Sequence, residues 1–168
     1  MRVTRSFPIH LAKEKIDLYR WVTEMTPAEY ESYATGHRAM GSSFHDGSFH
    51  MVNVEMIGNE MIVQHYRLLD HRPDRVAFYS AGTRAYVLRW FPAKVGVPWE
   101  MELKATGPDA CELVCTIGAD FPNVMVAFGA FLNGFGGTFL RRHLIQEGVA
   151  FARDIERKFT SEADLAMQ

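Results

Sequence analysis

The stretch SFHMVNVEMIGNEMIVQHYRLLD, residues 48–70, decides the fold, because it reads as two strands, Ser48 to Ile57 and Glu60 to Asp70, joined by the two-residue turn Gly58-Asn59. A turn that short fixes the register. With Ile57 opposite Glu60, the facing pairs run Met56 with Met61, Val54 with Val63, Val52 with His65, and His50 with Arg67, all pointing one way. The face so formed is an apolar wall with a polar, titratable end, which suits a ligand pocket. A second tight turn, Asp46-Gly47, extends the sheet backwards, pairs Ser43 with His50 and His45 with Ser48, and adds His37, Ser43 and His45 to the same face.

The other face of the hairpin carries Phe44, Phe49, Met51, Ile57, Ile62, Tyr66 and Leu68, so it is apolar too. If it were the inner one, the pocket would hold Asn53, Glu55, Gln64 and Tyr66. The histidine face is the expected inner face, because Asn53, Glu55, Glu60 and Gln64 interrupt the other near its middle. The outward aromatics would then form a homodimer surface or be covered by another element.

Working outward, Val3 to His10 is an opening strand, with Pro8 suggesting an edge position. Ile16, Leu18, Tyr19, Val22 and Met25 recur at helical spacing, and Thr26-Pro27-Ala28-Glu29 is a capping box with proline at the first helical position. Gly36 ends this pair of short helices. From His37 to Asp120, turn residues punctuate the chain at short intervals, giving an antiparallel meander. Its clearest alternation sets Val97, Trp99, Met101 and Leu103 against Glu100, Glu102 and Lys104, and Cys111, Leu113, Cys115 and Ile117 continue the buried side. Phe121-Pro122 breaks the last strand. A glycine-rich, nearly uncharged stretch with Gly129, Gly134, Gly136 and Gly137 leads into a helix from about Thr138 to Phe159, whose stripe is Leu140, Leu144, Phe151, Ile155 and Phe159.

The 168 residues are expected to form one domain, 1–168, large enough to bury a core without staples. With 18 Lys and Arg against 20 Asp and Glu, the net charge of −2 offers no footprint for nucleic acid or an anionic membrane. Aromatic residues at 12% and nine Met suit a wide apolar interior and a hydrophobic small-molecule partner. Cys111 and Cys115, on one strand with α-carbons about 13 Å apart, are too distant for a disulfide and read as buried hydrophobes. The opening MRVTRSFPIHLAKEK has no apolar stretch of signal-peptide length, and no run approaches a membrane span, so a cytoplasmic location is expected.

The order strand, two short helices, several antiparallel strands and a long final helix, with its sheet-to-helix ending around Ile117 to Phe139, resembles the helix-grip fold of the START-like superfamily. Its members include lipid-transfer domains, pollen-allergen-type ligand binders and aromatase/cyclases of polyketide pathways. The resemblance covers essentially the whole chain and implies an α+β architecture: a curved antiparallel sheet wrapped around the last helix, with an apolar cavity between them.

The residues that carry chemistry follow from the hairpin. His50 and His65 are acid/base candidates, and Arg67 suits an oxyanion or carboxylate. Ser43, Tyr79, Tyr86, Trp90, Trp99 and Glu147 are candidate substrate contacts, the aromatic ones as stacking partners. His143 and Glu147 stand one helical turn apart, where they can pair, and a partly buried carboxylate at 147 would have a raised pKa. The expected function is binding of a hydrophobic, aromatic molecule with cofactor-independent acid/base chemistry of lyase or cyclase type. A non-catalytic carrier or sensor is the rival. A metal reading uses His45, His50 and Glu147, since the His-x4-His spacing resembles that of the catalytic domains of Rieske-type oxygenases, but this chain lacks their Cys/His cluster-binding domain. Nothing resembles a nucleophile elbow, phosphate loop or dinucleotide fingerprint.

Overall fold

The computed structural model describes residues 1–58, 60–87, 91–124, 127 and 138–165, with backbone only at 87, 91 and 163–165. Trp90, Asn59 and the glycines at 129, 134, 136 and 137 lie outside the described residues. Strand β1 (Arg2–Ile9) is followed by a 3-10 turn (Lys13–Lys15) and by helices α1 (Leu18–Thr23) and α2 (Pro27–Tyr33). Six strands follow: β2 (His37–His45), β3 (Ser48–Ile57), β4 (Glu60–Arg72), β5 (Arg75–Val87), β6 (Phe91–Gly107) and β7 (Ala110–Gly118). Helix α3 (Thr138–Leu165) closes the chain. All strand pairs are antiparallel in the order β1-β7-β6-β5-β4-β3-β2, so β1 closes against β7 and leaves β2 at the far edge.

The local signals explain these elements. The Asp17 carboxylate accepts from the Arg20 amide at the start of α1, and the capping box of α2 is complete: the Glu29 amide donates to Thr26, and the Thr26 amide donates to Glu29. Asp46 and Gly47 both take positive φ, at 49° and 73°, as a two-residue hairpin turn requires. The register follows the turns: His50 faces Arg67, Val52 faces His65, and Ser43 faces His50.

The inner face of the sheet is the opposite of the expected one. Phe49, Met51, Asn53, Glu55 and Ile57 of β3 and Ile62, Gln64 and Tyr66 of β4 are buried, whereas Val52 and His65 are exposed and His50 is half-buried. Apolar area decides it. Phe49, Met51, Ile57, Ile62 and Tyr66, two of them aromatic, remove more hydrocarbon from water than Val52, Val54, Met56, Met61 and Val63 can, and Glu55 among them is accommodated by pairing. Of the aromatics on this face, Phe49 and Tyr66 are core and only Phe44 is exposed, which removes the argument for a homodimer surface built from them.

The stripe Leu140, Leu144, Phe151, Ile155 and Phe159 of α3 is buried, while Arg142, Gln146, Arg153 and Arg157 face out. Phe151 sits among Trp21, Tyr33 and Trp99 with ring centroids 5.0, 5.1 and 6.1 Å away, and Trp99 stacks on Phe78. Cys111 and Cys115 are free and buried. No helix among the described residues is long and apolar enough to cross a membrane.

Asp154 fastens α3 to the two short helices. Its carboxylate accepts from the Trp21 indole at 2.9 Å and the Tyr33 hydroxyl at 2.8 Å, and it meets Lys158 at 3.1 Å and Arg157 at 2.5 Å. Burial pushes its pKa up, but the donors from Trp21, Arg157, Tyr33 and Lys158 outweigh this and hold it below the ordinary aspartate range. A depressed folded-state pKa gives stability that is present above the unfolded value, about 3.9, and is lost as pH falls through the folded one. Asp154→Asn should therefore cost about 2 kcal/mol in urea unfolding at pH 7, from charge-assisted bonds lost. The difference from the parent chain should shrink as the pH is lowered below 4; a gap that is the same at pH 7 and pH 3 contradicts the assignment.

Candidate functional site

Four titratable side chains meet where β2, β3 and α3 converge. Glu55 comes from the inner face of β3, His37 from the start of β2, and His143 and Glu147 from successive turns of α3. Each offers one ligating atom, and these four atoms all lie within 4.8 Å of one another. All four side chains are buried, with exposures of 0% for His37, 4% for Glu55, 6% for His143 and 5% for Glu147.

A β-bulge brings His37 into this group. The pairing Ser43 with His50 and Ala39 with Val54, continued without interruption, would set residue 37 opposite Met56 on the outer face. The register shifts between His37 and Ala39, so His37 lies opposite Glu55 and points inward. Its ring stacks on Tyr30, with centroids 3.9 Å apart and planes 5° from parallel. Its Nδ1 lies 2.5 Å from the Tyr30 carbonyl oxygen, an acceptor only, so Nδ1 carries the hydrogen and Nε2 faces Glu147 Oε1 at 3.4 Å. The Tyr30 hydroxyl donates to Glu55 Oε1, and His143 Nε2 stands 3.3 Å from Glu55 Oε2.

The electrostatics are those of a dry cluster with compensating charges. Burial pushes the Glu55 carboxyl up, but His143, His37 and the Tyr30 hydroxyl more than offset it and hold it below the carboxylate range. Burial pushes His143 and His37 down, and the adjoining carboxylates of Glu55 and Glu147 raise both above the ordinary imidazole value. Tyr66, deeper on the same face, is raised well above the ordinary phenol by burial and by the charges of Glu55 and Glu147. Despite the ion pairing, His37 Nε2, Glu55 Oε2, His143 Nε2 and Glu147 Oε2 make no hydrogen bond among the described residues. Asn53 Oδ1, Gln64 Oε1 and Trp99 Nε1 are also unpartnered and buried. Such groups cost free energy unless something completes them.

One member of the quartet, His143, borders an open cleft. A cleft of about 270 Å³ runs between the α2–β2 connection, the β3–β4 turn and the start of α3, with His143 among its lining and Arg38, Phe139, Arg142 and Gln146 around it. Gly36 keeps it open: a Cβ there would stand 3.4 Å from His143 Nδ1 and only 2.5 Å from the Met56 carbonyl oxygen. A larger groove of about 650 Å³ lies between β1 and the outer side of α3, lined by Phe7, Val149, Arg153 and Glu156. It contains none of the unpartnered buried atoms, so the chemistry points to the smaller cleft.

The structure separates the residues named from sequence. His50, His65, Arg67 and Ser43 are on the outer face, with His65, Arg67 and Ser43 exposed, so they do not converge on the interior. His45 is exposed beside Asp46, its ring 6.2 Å from that of His50, whereas Glu147 is on the other side of the sheet; these three share no ion. Tyr79 is half-buried on the outer face and donates to Asp120, and Tyr86 lines an outer groove with Arg84 and Lys94. Trp90 lies outside the described residues. Trp99 and Glu147 do reach the interior. Sequence reasoning set aside Glu55 and Tyr66 with the non-preferred face and put His37 on the wrong side of β2. The usable signals were the His143-x3-Glu147 spacing and the carboxylate in the middle of an otherwise apolar strand face.

No family model matches the chain, and no curated protein matches it. Solved structures do. A START superfamily protein from Mycobacterium smegmatis is 12% identical with a TM-score of 0.57, over 93% of this chain and 97% of that one. The Zhui aromatase/cyclase from Streptomyces sp. R1128 is 11% identical with a TM-score of 0.61, over 97% and 95%. The major latex-like protein 151 of Panax ginseng is 8% identical with a TM-score of 0.61, over 92% and 97%. At these identities the likeness is one of fold: a seven-stranded antiparallel sheet gripping a long C-terminal helix, with two short helices after the first strand.

The two faces of β3 and β4 should differ in urea unfolding. His65→Ala should change stability by no more than about 0.5 kcal/mol, as an exposed position does. Glu55→Ala should cost about 3 kcal/mol, because it strands buried His143 and the Tyr30 hydroxyl. Equal costs at the two positions would contradict the assignment of faces.

Proposed function

We propose that this chain, which has the helix-grip fold of START-like proteins, binds a small hydrophobic molecule with an aromatic body between the sheet and α3, and acts on an oxygen of that molecule at the His37, Glu55, His143 and Glu147 quartet. The reaction class is acid/base chemistry of lyase or cyclase type: cyclisation, dehydration or carbon–carbon bond cleavage next to a carbonyl. The observation that carries the reading is the convergence of unpartnered, buried nitrogen and oxygen atoms of four titratable residues, one of which, His143, borders an open cleft.

The aromatic character of the interior supports such a ligand. Tyr66, Phe78, Trp99 and Phe151 supply ring faces on the same side of the sheet as the quartet. Arg38 and Arg142 at the cleft favour a ligand with an acidic or phenolic group. A carrier of apolar molecules needs only an apolar wall, and burying two carboxylates and two imidazoles in it would cost several kcal/mol for no gain in binding. The aromatase/cyclase among the structural neighbours supports a catalytic use of this fold, though it shares only the fold with this chain.

The test is a panel of phenolic aryl ketones and β-diketones incubated with the protein in deuterated water and followed by mass spectrometry. The expected result is turnover, or deuterium uptake next to the carbonyl, by the parent chain, falling on the order of 100-fold in Glu147→Gln and unchanged in His50→Ala and His65→Ala. Saturable binding of these compounds with neither turnover nor exchange makes the protein a carrier and overturns the catalytic reading.

A further inference from the structure

We infer that the His37, Glu55, His143 and Glu147 quartet is a binding site for one divalent first-row transition-metal ion of the zinc class. The inference rests on reading the quartet as the functional site and adds how it engages an oxygen of the ligand.

Distances distinguish an ion site from a pair of salt bridges. A charge-assisted N–H···O bond between imidazolium and carboxylate closes to about 2.7–2.9 Å with the hydrogen aimed at the oxygen. Here the separations are 3.4 Å for His37 with Glu147 and 3.3 Å for His143 with Glu55, and neither imidazole Nε2 is in a hydrogen bond. Donors placed about 2.0–2.1 Å from a zinc ion at tetrahedral angles stand about 3.3 Å apart, which is the spacing seen. All four donor atoms lie within 4.8 Å of one another.

The surroundings orient the donors as a metal requires. The Tyr30 carbonyl fixes the hydrogen of His37 on Nδ1, which turns the Nε2 lone pair to the centre. The Tyr30 hydroxyl occupies Glu55 Oε1 and leaves Oε2 facing inward. One residue thus sets two ligands from behind. With no ion bound, protons on the two imidazoles balance the two buried carboxylates, and a divalent ion would displace those protons and take the same four donor atoms. The donor set contains two imidazoles and no sulfur, which suits zinc, cobalt or manganese and disfavours magnesium and calcium, which take oxygen ligands. The cleft at Gly36 and Arg142 gives an entry path past His143. When bound, such an ion polarises a carbonyl or lowers the pKa of a bound water.

The test uses the full chain, stripped with a chelator, dialysed and titrated separately with zinc, cobalt and magnesium chlorides. Bound metal is counted by elemental analysis, and cobalt is also read by its visible ligand-field absorption. About one zinc or cobalt per chain and no magnesium is expected. His143→Ala and Glu147→Gln should weaken zinc by 100-fold or more, and Tyr30→Phe by roughly 10- to 100-fold, while the double variant His45→Ala/His50→Ala binds like the parent. Circular dichroism confirms that each variant is folded, and Tyr30→Phe and Glu147→Gln serve if His143→Ala is not. Less than about 0.1 ion per chain after reconstitution, or unchanged affinity in folded His143→Ala or Glu147→Gln, overturns the ion site. Undiminished turnover of an aryl ketone by metal-free protein overturns the ion's part in engaging the ligand and leaves the proposed reaction standing; stoichiometric zinc with no turnover supports the ion and counts against the reaction alone.

Discussion

The burial of Glu55 is the constraint to which much of the structure answers. A carboxylate on the inner face of β3, next to the edge strand, would cost several kcal/mol if left alone. Three elements compensate it: α2 supplies the Tyr30 hydroxyl, α3 supplies His143, and β2 supplies His37 by way of a bulge. The stacking of Tyr30 on His37 and the edge contact of His37 with His143, centroids 5.3 Å apart, lock the same groups sterically. Helix α3 cannot slide or rotate without uncovering this charge. The apolar stripe of α3 sets how strongly the helix docks, and Glu55 sets where.

This arrangement separates stability from function along one helix. Toward its C-terminal part, Phe151, Ile155 and Phe159 pack conventionally, and Asp154 is saturated by donors. Nearer its start, His143 and Glu147 leave lone pairs unmatched. Interiors usually satisfy their polar atoms, and a group of orphans in one place marks where a ligand completes the structure. The outer face of the sheet carries the more conspicuous His50, His65 and Arg67, yet His65 and Arg67 are exposed and His50 is only half-buried.

Much of the fold was legible in the sequence. Asp46-Gly47 and Gly58-Asn59 fixed the β2–β3 and β3–β4 registers from His45 back to Ala39 and from Ile57 back to His50, because two-residue turns allow few alternatives. The capping box at Thr26 and the stripe on α3 were equally direct. The site was less so, for a physical reason. Period-two alternation says which residues share a face but not which face is inside, and here both faces of β3 and β4 are apolar. Asn53, Glu55, Glu60 and Gln64 looked like solvent-facing residues because buried polar groups are rare, and functional sites are where that rule is broken. The bulge at His37 has no turn residue to announce it, so its inward swing was out of reach of pattern reading altogether.

A crystal structure with anomalous data collected on both sides of the zinc absorption edge tests the central claim most directly. The account requires a peak equidistant from His37 Nε2, Glu55 Oε2, His143 Nε2 and a Glu147 carboxylate oxygen, at about 2.0–2.2 Å from each. Side chains closed into aligned imidazolium–carboxylate bonds of about 2.7–2.9 Å, with no peak between them in zinc-soaked crystals, would contradict it.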